Sequence, residues 1–160
     1  GKQLLLLGLF LDRMRIRKED YMENLPYLYG QLLKAADELH ELYCDVVRDG
    51  QKPQELVGSS MFRSVSESPL RMLPVLSQRI MPYYAWAKVY RRKSDNENRK
   101  HAARAGWLYR VCEQITTRLW NSQTVPSRFN DEEKAQLFIG YLASFSEKEM
   151  KLEEESNHES

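Results

Sequence analysis

The sequence lacks the residue patterns on which most metalloenzymes and nucleotide-binding enzymes depend. It has three histidines and two cysteines in 160 residues, and none of them forms the His-x-x-x-His or Cys-x-x-Cys spacing typical of metal sites. Its seven glycines do not form a phosphate-binding loop. We therefore expect a protein that is not an enzyme and that holds no metal and no cofactor.

Long apolar runs are also missing. The most apolar segment, residues 4–11 (LLLLGLFL), is much shorter than the ~18 residues that a membrane span needs. Only Lys2 precedes it as a basic residue, and no small-residue cleavage site follows, so a secretory signal is not indicated. We expect no membrane partner. Because residue 1 is Gly rather than Met, we interpret the sequence as a fragment or as a product with a leftover tag residue.

The cysteines are too few for a disulfide framework. Cys44 and Cys112 both fall in helical apolar patterns, where a free cysteine behaves as a small hydrophobic side chain. Two such isolated thiols form neither a disulfide scaffold nor a zinc site. We expect both to be reduced and buried, which favours a cytoplasmic location.

The net charge of +1 conceals an uneven distribution of charge along the chain. Residues 60–120 contain 12 Lys and Arg against 4 Asp and Glu, a net charge of +8. The flanking residues 1–59 carry −2, and residues 130–160 carry −6. A basic middle beside an acidic end indicates a polyanionic partner more strongly than the total charge would.

Signals for β-strands are absent, and apolar residues recur at every third and fourth position, which is typical of helices. We predict an all-α bundle of five to six helices with short loops and without a second domain. The predicted parts are an N-terminal helix and charged connector (1–20), the helical bundle (21–146) and an acidic, disordered tail (147–160).

The clearest predicted helix begins at Asn24, a favourable capping residue, and has Pro26 in its first turn. It ends near Gly50, and a shorter helix follows over about residues 53–62 or a little further. The next predicted helix opens with Ser68 as its cap.

Pro69 lies in the first turn of this fourth helix, whose predicted apolar stripe begins at Leu70. A proline inside a helix removes a backbone hydrogen bond, so we expect a kink near Pro82, or a break. The fifth helix is predicted over about residues 97–121, with Trp120 widening its stripe. The sixth begins at Asn130, and its stripe includes Leu137, Phe138, Tyr141 and Leu142.

The polar residues of these helices have a plainer interpretation than catalysis. His40 is expected to be a solvated histidine on a helix surface, and Asp37, Glu38, Glu41 and Asp45 are expected to form a solvated helix face. His101 invites comparison with helical ribonucleases of the HEPN type, in which four to six residues separate an Arg from the following His. Arg99 lies too close to His101 and Arg92 too far from it to match that spacing.

Basic residues instead indicate a binding surface. If the fourth and fifth helices are antiparallel neighbours, their basic ends meet around residues 90–104 (YRRKSDNENRKHAAR). Since each phosphate contact releases counterions, a basic stripe there suits a nucleic-acid backbone, without recognition of base sequence. The alternative is a solvated positive face that binds nothing. The candidate nucleic-acid-binding residues are Arg71, Arg79, Lys88, Arg91, Arg92, Lys93, Arg99, Lys100 and Arg104.

Aromatic residues lie beside this predicted surface. Tyr83, Tyr84, Trp86 and Tyr90 precede the basic cluster, and aromatic side chains can stack on the bases of a single strand. Tyr83, Tyr84 and Trp86 also follow the apolar stripe of their helix, so we favour a place in the core for them.

Three blocks of the sequence resemble the C-terminal helical region of the large subunit of type I-C CRISPR Cascade. Residues 26–33 (PYLYGQLL) are similar to its "YLLGRL" helix. Residues 62–69 (FRSVSESP) and 73–79 (LPVLSQR) resemble its small-residue segment and the "P-x-L-x-x-L-S-Q" pattern that follows. Residues 126–141 (PSRFNDEEKAQLFIGY) resemble its closing block. The blocks appear in family order over about residues 25–145.

The resemblance implies a fold like the Cascade small subunit and a non-catalytic role. Such subunits contact the backbones of the displaced non-target DNA strand and of the guide RNA–DNA hybrid, so they stabilise the R-loop, while base pairing of the guide reads the sequence. Other Cascade subunits, including further small subunits, are the implied partners. The connector at residues 91–104 is longer and more basic than the family pattern, which leaves open a related type I subtype. The alternatives are a helical protein-interaction bundle that binds no nucleic acid, and a helical ribonuclease or toxin.

Overall fold

In the computed structural model, residues 24–122 and 124–143 are described, and they form five helices and no strand. The helices are α1 (Leu25–Val47), α2 (Val57–Glu67), α3 (Pro69–Tyr90), α4 (Arg99–Asn121) and α5 (Asp131–Leu142). The prediction of an all-α bundle is confirmed. The predicted N-terminal helix and charged connector at residues 1–20 and the predicted disordered tail at 147–160 lie outside the described residues. None of the described helices has the length and apolar character needed to cross a membrane.

Helix α1 forms the centre of the bundle. It packs against each of the other four helices, and its apolar residues Tyr29, Leu32, Leu33 and Leu39 are fully buried. Helix α3 packs between α2 and α4, whereas α5 packs mainly on α1. This central position explains why more than half of the residues of α1 are buried.

Local capping signals in the sequence correctly predicted where two helices begin. The Asn24 side chain accepts a hydrogen bond from the backbone N–H of Tyr27 at the start of α1. At α5, Asn130 accepts from the N–H of Glu133, and the Glu133 side chain accepts in return from the N–H of Asn130. This reciprocal arrangement is a capping box, which satisfies two backbone donors at once.

The start of α2 was predicted wrongly. The helix begins at Val57 rather than near residue 53, and it continues to Glu67. Leu56 occupies the capping position and its side chain makes no capping hydrogen bond. The missing acceptors come from α1, because Asp37 accepts from the N–H of Ser59 at 2.9 Å and His40 Nδ1 accepts from the N–H of Val57 at 3.1 Å. A cap supplied by another helix leaves no signal in the local sequence.

The solvated positions predicted for Asp37 and His40 are therefore also wrong. Asp37 is only 7% exposed, and its Oδ2 accepts hydrogen bonds from the hydroxyls of Ser59 and Tyr141, both at 2.6 Å. This network joins α1, α2 and α5. Burial and the bond to Asp37 raise the pKa of Tyr141, so the phenol keeps its proton and remains a donor.

Helix α3 runs without a break from Pro69 to Tyr90, across Pro74 and Pro82. Both proline rings lie on the exposed side of the helix, where water can satisfy the carbonyl groups that lose their partners. Ser68 makes no side-chain capping bond to this helix, contrary to the prediction.

Four residues that were assigned to apolar stripes are in fact exposed. Leu70 on α3, Trp120 on α4, and Phe138 and Leu142 on α5 lie at the surface. They fit a helical period, but the packing of the described helices leaves much of each side chain exposed, even though the Phe138 ring meets Phe62 of α2 edge to face.

The His40 contacts lead to a prediction about pH. Burial lowers the pKa of His40, and Asp37 opposes this effect while Arg48 adds to it. The unfolded chain therefore takes up a proton first, so stability should be full above about pH 6.5 and should fall as the pH decreases below that value. Thermal unfolding between pH 7.5 and 5.5 measures this decline, which His40→Gln should flatten.

His101→Gln is the matched control for this experiment, because His101 is exposed at the start of α4. Its replacement should leave the pH profile of the parent protein unchanged. If the His40→Gln and parent profiles have the same slope, protonation of His40 does not destabilise the fold.

Candidate nucleic-acid interface

Helices α3 and α4 form an antiparallel hairpin, as the sequence argument required. Tyr84 stacks on Tyr109 with ring centroids 4.6 Å apart, and the Arg91 guanidinium lies 4.4 Å from the centre of the same Tyr109 ring. The hydroxyl of Tyr90 donates a hydrogen bond to Asn98 Oδ1 at 2.9 Å. These contacts close the short connection at residues 91–98 and bring the end of α3 next to the start of α4.

The basic residues at this end of the hairpin form one exposed cluster, which we call the basic tip. Each member is exposed, and none forms an ion pair with another of the described residues. Residues 90–104 contain six Lys and Arg against two Asp and Glu, a net charge of +4. The members of the basic tip are Lys88, Arg92, Lys93, Arg99 and Lys100.

The start of α4 concentrates positive charge further. Arg99 and Lys100 occupy its first turn, which contains no acidic residue, and Asn98 makes no side-chain capping bond. The N-terminal end of a helix already carries partial positive charge, so two cations there are unfavourable for the helix itself. An anion bound at this end would relieve that cost.

Two of the candidate residues make contacts within the bundle. Arg91 is half-buried over Tyr109, and its Nε donates to the carbonyl of Lys88 at 3.1 Å. Arg104 forms an ion pair with Glu38 at 3.2 Å and lies 5.5 Å from the centre of the Trp107 ring. Burial raises the pKa of Glu38, and Arg104 opposes that rise. Arg91 therefore helps to close the hairpin, and Arg104 helps to hold the hairpin on α1.

The remaining two candidates lie apart from the basic tip. Arg71 and Arg79 are exposed on α3, and the helical rise places Arg71 about 25 Å from Lys88 along the axis. Nine residues separate Arg79 from Lys88, so the two side chains leave α3 about half a turn apart. Arg71, Arg79 and Lys88 therefore do not form a single basic stripe along α3, because the helical period distributes them over different sides.

The neighbouring aromatic rings pack inside the protein. Tyr83 stacks on His40, Trp86 stacks on Tyr90, and both Tyr83 and Trp86 also meet Tyr43 edge to face. Tyr90 is buried, and Tyr83, Tyr84 and Trp86 are half-buried against the core. The core interpretation accounts for these rings, and the basic tip presents charge rather than stacking surfaces.

Sequence reasoning missed Tyr109 and Asn98, the two residues that fix the geometry of the hairpin. Tyr109 holds both Tyr84 and Arg91, and Asn98 accepts from Tyr90 while its amide donates to Asp95 at 2.6 Å. Only their positions in the sequence could have indicated this role. Each lies where two antiparallel helices joined by a short connection must come into contact.

In the part of the chain that the structure describes, no group of three or more His, Cys, Asp or Glu side chains is placed to hold a metal ion. Cys44 and Cys112 are free thiols buried in the core. Comparisons with protein-family models, with curated proteins and with solved structures found no match to this chain.

Proposed function

We propose that this chain binds the phosphate backbone of nucleic acid through the basic tip, without reading base sequence and without catalysis. The observation that carries the proposal is the convergence of five exposed cations without described acidic partners at one end of the α3–α4 hairpin. Lys and Arg placed in this way release condensed counterions from phosphates, which favours binding.

The start of α4 supports the same proposal. Arg99 and Lys100 lie where they weaken their own helix, since cations are unfavourable beside the positive end of the dipole. Backbone N–H groups at a helix start also suit phosphate oxygens. A phosphate group bound there would gain from the dipole and from both side chains.

The sequence resemblance supplies the wider context of the proposal. As a subunit or domain of a type I CRISPR surveillance complex, the chain would stabilise the R-loop by backbone contacts to the displaced non-target strand or to the guide RNA–DNA hybrid. Its partners would be other subunits of that complex. The guide would then supply sequence specificity, which agrees with a surface of cations and few accessible rings.

Measurement of single-stranded DNA binding against salt concentration tests the proposal. Replacing Arg92, Lys93, Arg99 and Lys100 together with Ala should lower affinity at least about tenfold at low salt. The salt slope should become shallower by about 0.7 for each phosphate that the variant no longer neutralises. Arg91 is kept because it packs on Tyr109, so its replacement would disturb the hairpin.

A variant with the same change in net charge serves as the control. Lys52, Arg63, Arg128 and Lys134 lie outside the basic tip, and their replacement with Ala should leave most of the affinity. An equal loss in both variants would mean that net charge alone governs binding. Unchanged affinity and slope in the tip variant would refute the proposed site.

A protein-interaction bundle without nucleic acid is the second candidate, and one observation favours it. Leu70, Met81 and Val89 on α3 are 52%, 54% and 70% exposed, and exposed apolar surface can mark a protein contact. If this face binds a second copy of the chain, sedimentation of the purified chain without DNA should show self-association that increases with concentration.

A further inference from the structure

We propose that the acidic residues 147–160 of this chain dock on its own basic tip and compete with nucleic acid for it. The competition rests on the proposed function, whereas the docking itself depends only on the two segments of the chain. The occupant is therefore a segment that lies outside the described residues but is always present at the same concentration as the tip.

Charge complementarity is the first argument. Residues 147–160 contain six Glu and two Lys, a net charge of −4, and residues 90–104 carry a net charge of +4. Within the described residues the five cations of the basic tip form no ion pair. Opposite charges attract appreciably when they approach within the Debye length, which is about 10 Å at 0.1 M salt.

The attachment point of the acidic segment is the second argument. The side-chain amide of Gln31 donates to the carbonyl of Ala143, the last described residue, at 3.2 Å. Seven positions further along α1, Glu38 pairs with Arg104 of α4. Two helical turns separate positions 31 and 38, so they lie on the same side of α1 and about 10 Å apart.

The chain that follows is long enough to reach the basic tip. Arg104 lies one turn of α4 from Lys100, so the segment leaves the bundle about two turns of α1 from the point where α1 meets the helix that carries two of the five cations of the tip. The ten residues from 144 to 153 can span up to about 33 Å when extended. Glu153, Glu154 and Glu155 can therefore meet Lys93, Arg99 and Lys100 without any change in the bundle.

Other acidic residues are less suited to the role. Asp131 and Glu132 lie at the opposite end of α5 from Ala143, and Glu133 is held in the capping box. Asp95 accepts a hydrogen bond from Asn98 within the connection. Residues 147–160 thus combine a net negative charge with the length to reach the basic tip.

Because the two segments belong to one chain, even a weak interaction between them has an effective concentration of about 1 mM. Nucleic acid, with its higher charge density, would displace the segment, so the docked segment would lower affinity at low salt rather than abolish binding. Salt screens both interactions, and the inhibition should fade as salt rises.

Carbodiimide cross-linking of the full chain, without nucleic acid, tests the docking directly. It joins a carboxylate to a nearby Lys amine, so mass spectrometry should find Lys93 and Lys100 linked to Glu149, Glu153, Glu154 or Glu155. A mixture of isotopically light and heavy protein should give links within one chain only. Links to Lys52 as frequent as those to Lys93 and Lys100, or no links to the tip, would overturn the proposal.

Binding of single-stranded DNA tests the competition. Changing Glu149, Glu153, Glu154 and Glu155 together to Gln should raise affinity about three- to tenfold at ~50 mM salt and leave it unchanged near 300 mM, because screening removes the internal interaction. The matched control, D45N, D49N, E55Q and E132Q together, removes four exposed charges elsewhere and should have a much smaller effect.

The two proposals fail in different ways. If DNA binds through the basic tip but the four Glu changes have no more effect than the control, the competition is refuted and the proposed function stands. If DNA does not bind through the tip, the proposed function fails, and cross-linking still decides whether the acidic segment docks there.

Discussion

Replacing Gly30 with alanine is expected to destabilise the bundle by about 3 kcal/mol, since added atoms at a close-packed contact force the backbone apart. A Cβ at this position would collide with the backbone of α5, at the carbonyl of Leu137 and the amide of Tyr141. Backbone atoms cannot move aside as the end of a flexible side chain can. Helix α5 would have to shift away from α1, which is its main packing partner.

Helices α1 and α5 approach each other closely at a glycine on each helix, Gly30 and Gly140. A Cβ at Gly140 would collide with the carbonyl of Tyr27, and the side-chain amide of Gln31 donates to the carbonyls of Gly140 and Ala143. The two glycines therefore permit the approach, and Gln31 satisfies carbonyls near the end of α5. Urea denaturation followed by circular dichroism measures the effect of the Gly30 change.

Gly106→Ala is the matched control, because Gly106 also lies inside a helix. Its added Cβ would come no nearer than 3.4 Å to Arg91 Cβ, which is close to ordinary contact. Alanine is more favourable than glycine in a helix interior by about 0.5–1 kcal/mol, so this variant should be neutral or slightly stabilised. If both variants unfold at the same urea concentration, close approach at Gly30 does not limit the packing of α5.

Asp37→Ala is expected to cost a similar amount, about 3 kcal/mol, because buried polar groups left without partners carry their full desolvation cost. The change removes the acceptor for the backbone N–H and hydroxyl of Ser59 and for the hydroxyl of Tyr141. The two hydroxyls lie 2.9 Å apart and can still bond to each other, but the Ser59 N–H is left without its acceptor at the start of α2. The free energy of unfolding measures the effect.

Asp37→Asn separates the hydrogen bonds from the charge. An amide oxygen still accepts from the Ser59 N–H, and its NH₂ group can donate to a hydroxyl that turns around. The destabilisation should therefore be smaller than for alanine. Hydrogen exchange at Ser59 should increase in the alanine variant before exchange in α4 does, because α2 loses one of its two acceptors from α1 while the α3–α4 hairpin is untouched. Equal stability of the two variants would mean that the network does not hold α2.

The same hairpin connects stability with the proposed function. Tyr109 and Arg91 fix the packing of α3 on α4, while the charged residues that would meet phosphate lie beyond them at the exposed end. A binding variant can therefore remove four cations without disturbing the bundle. Because the packing residues differ from the charged residues, a change in the DNA affinity of this variant would not reflect unfolding.

The sequence by itself determined the helical character of the protein and the helix starts that depend on neighbouring residues. Asn24 with Pro26, and Asn130 with Glu133, act within a few positions, so a short segment contains all of the necessary information. It also placed the basic cluster at one end of the hairpin, because a short connection between two helices leaves its flanking residues close together.

Only the tertiary structure decided which polar residues are buried and how the basic residues are divided. Asp37 and His40 cap a helix that begins about twenty positions later, and no pattern of neighbouring residues predicts these contacts. Arg71, Arg79 and Lys88 share a helix but leave it at different heights and in different directions, while Arg104 meets Glu38 of α1. The sequence specifies each helix through local interactions, whereas burial and pairing depend on which faces of the helices pack together.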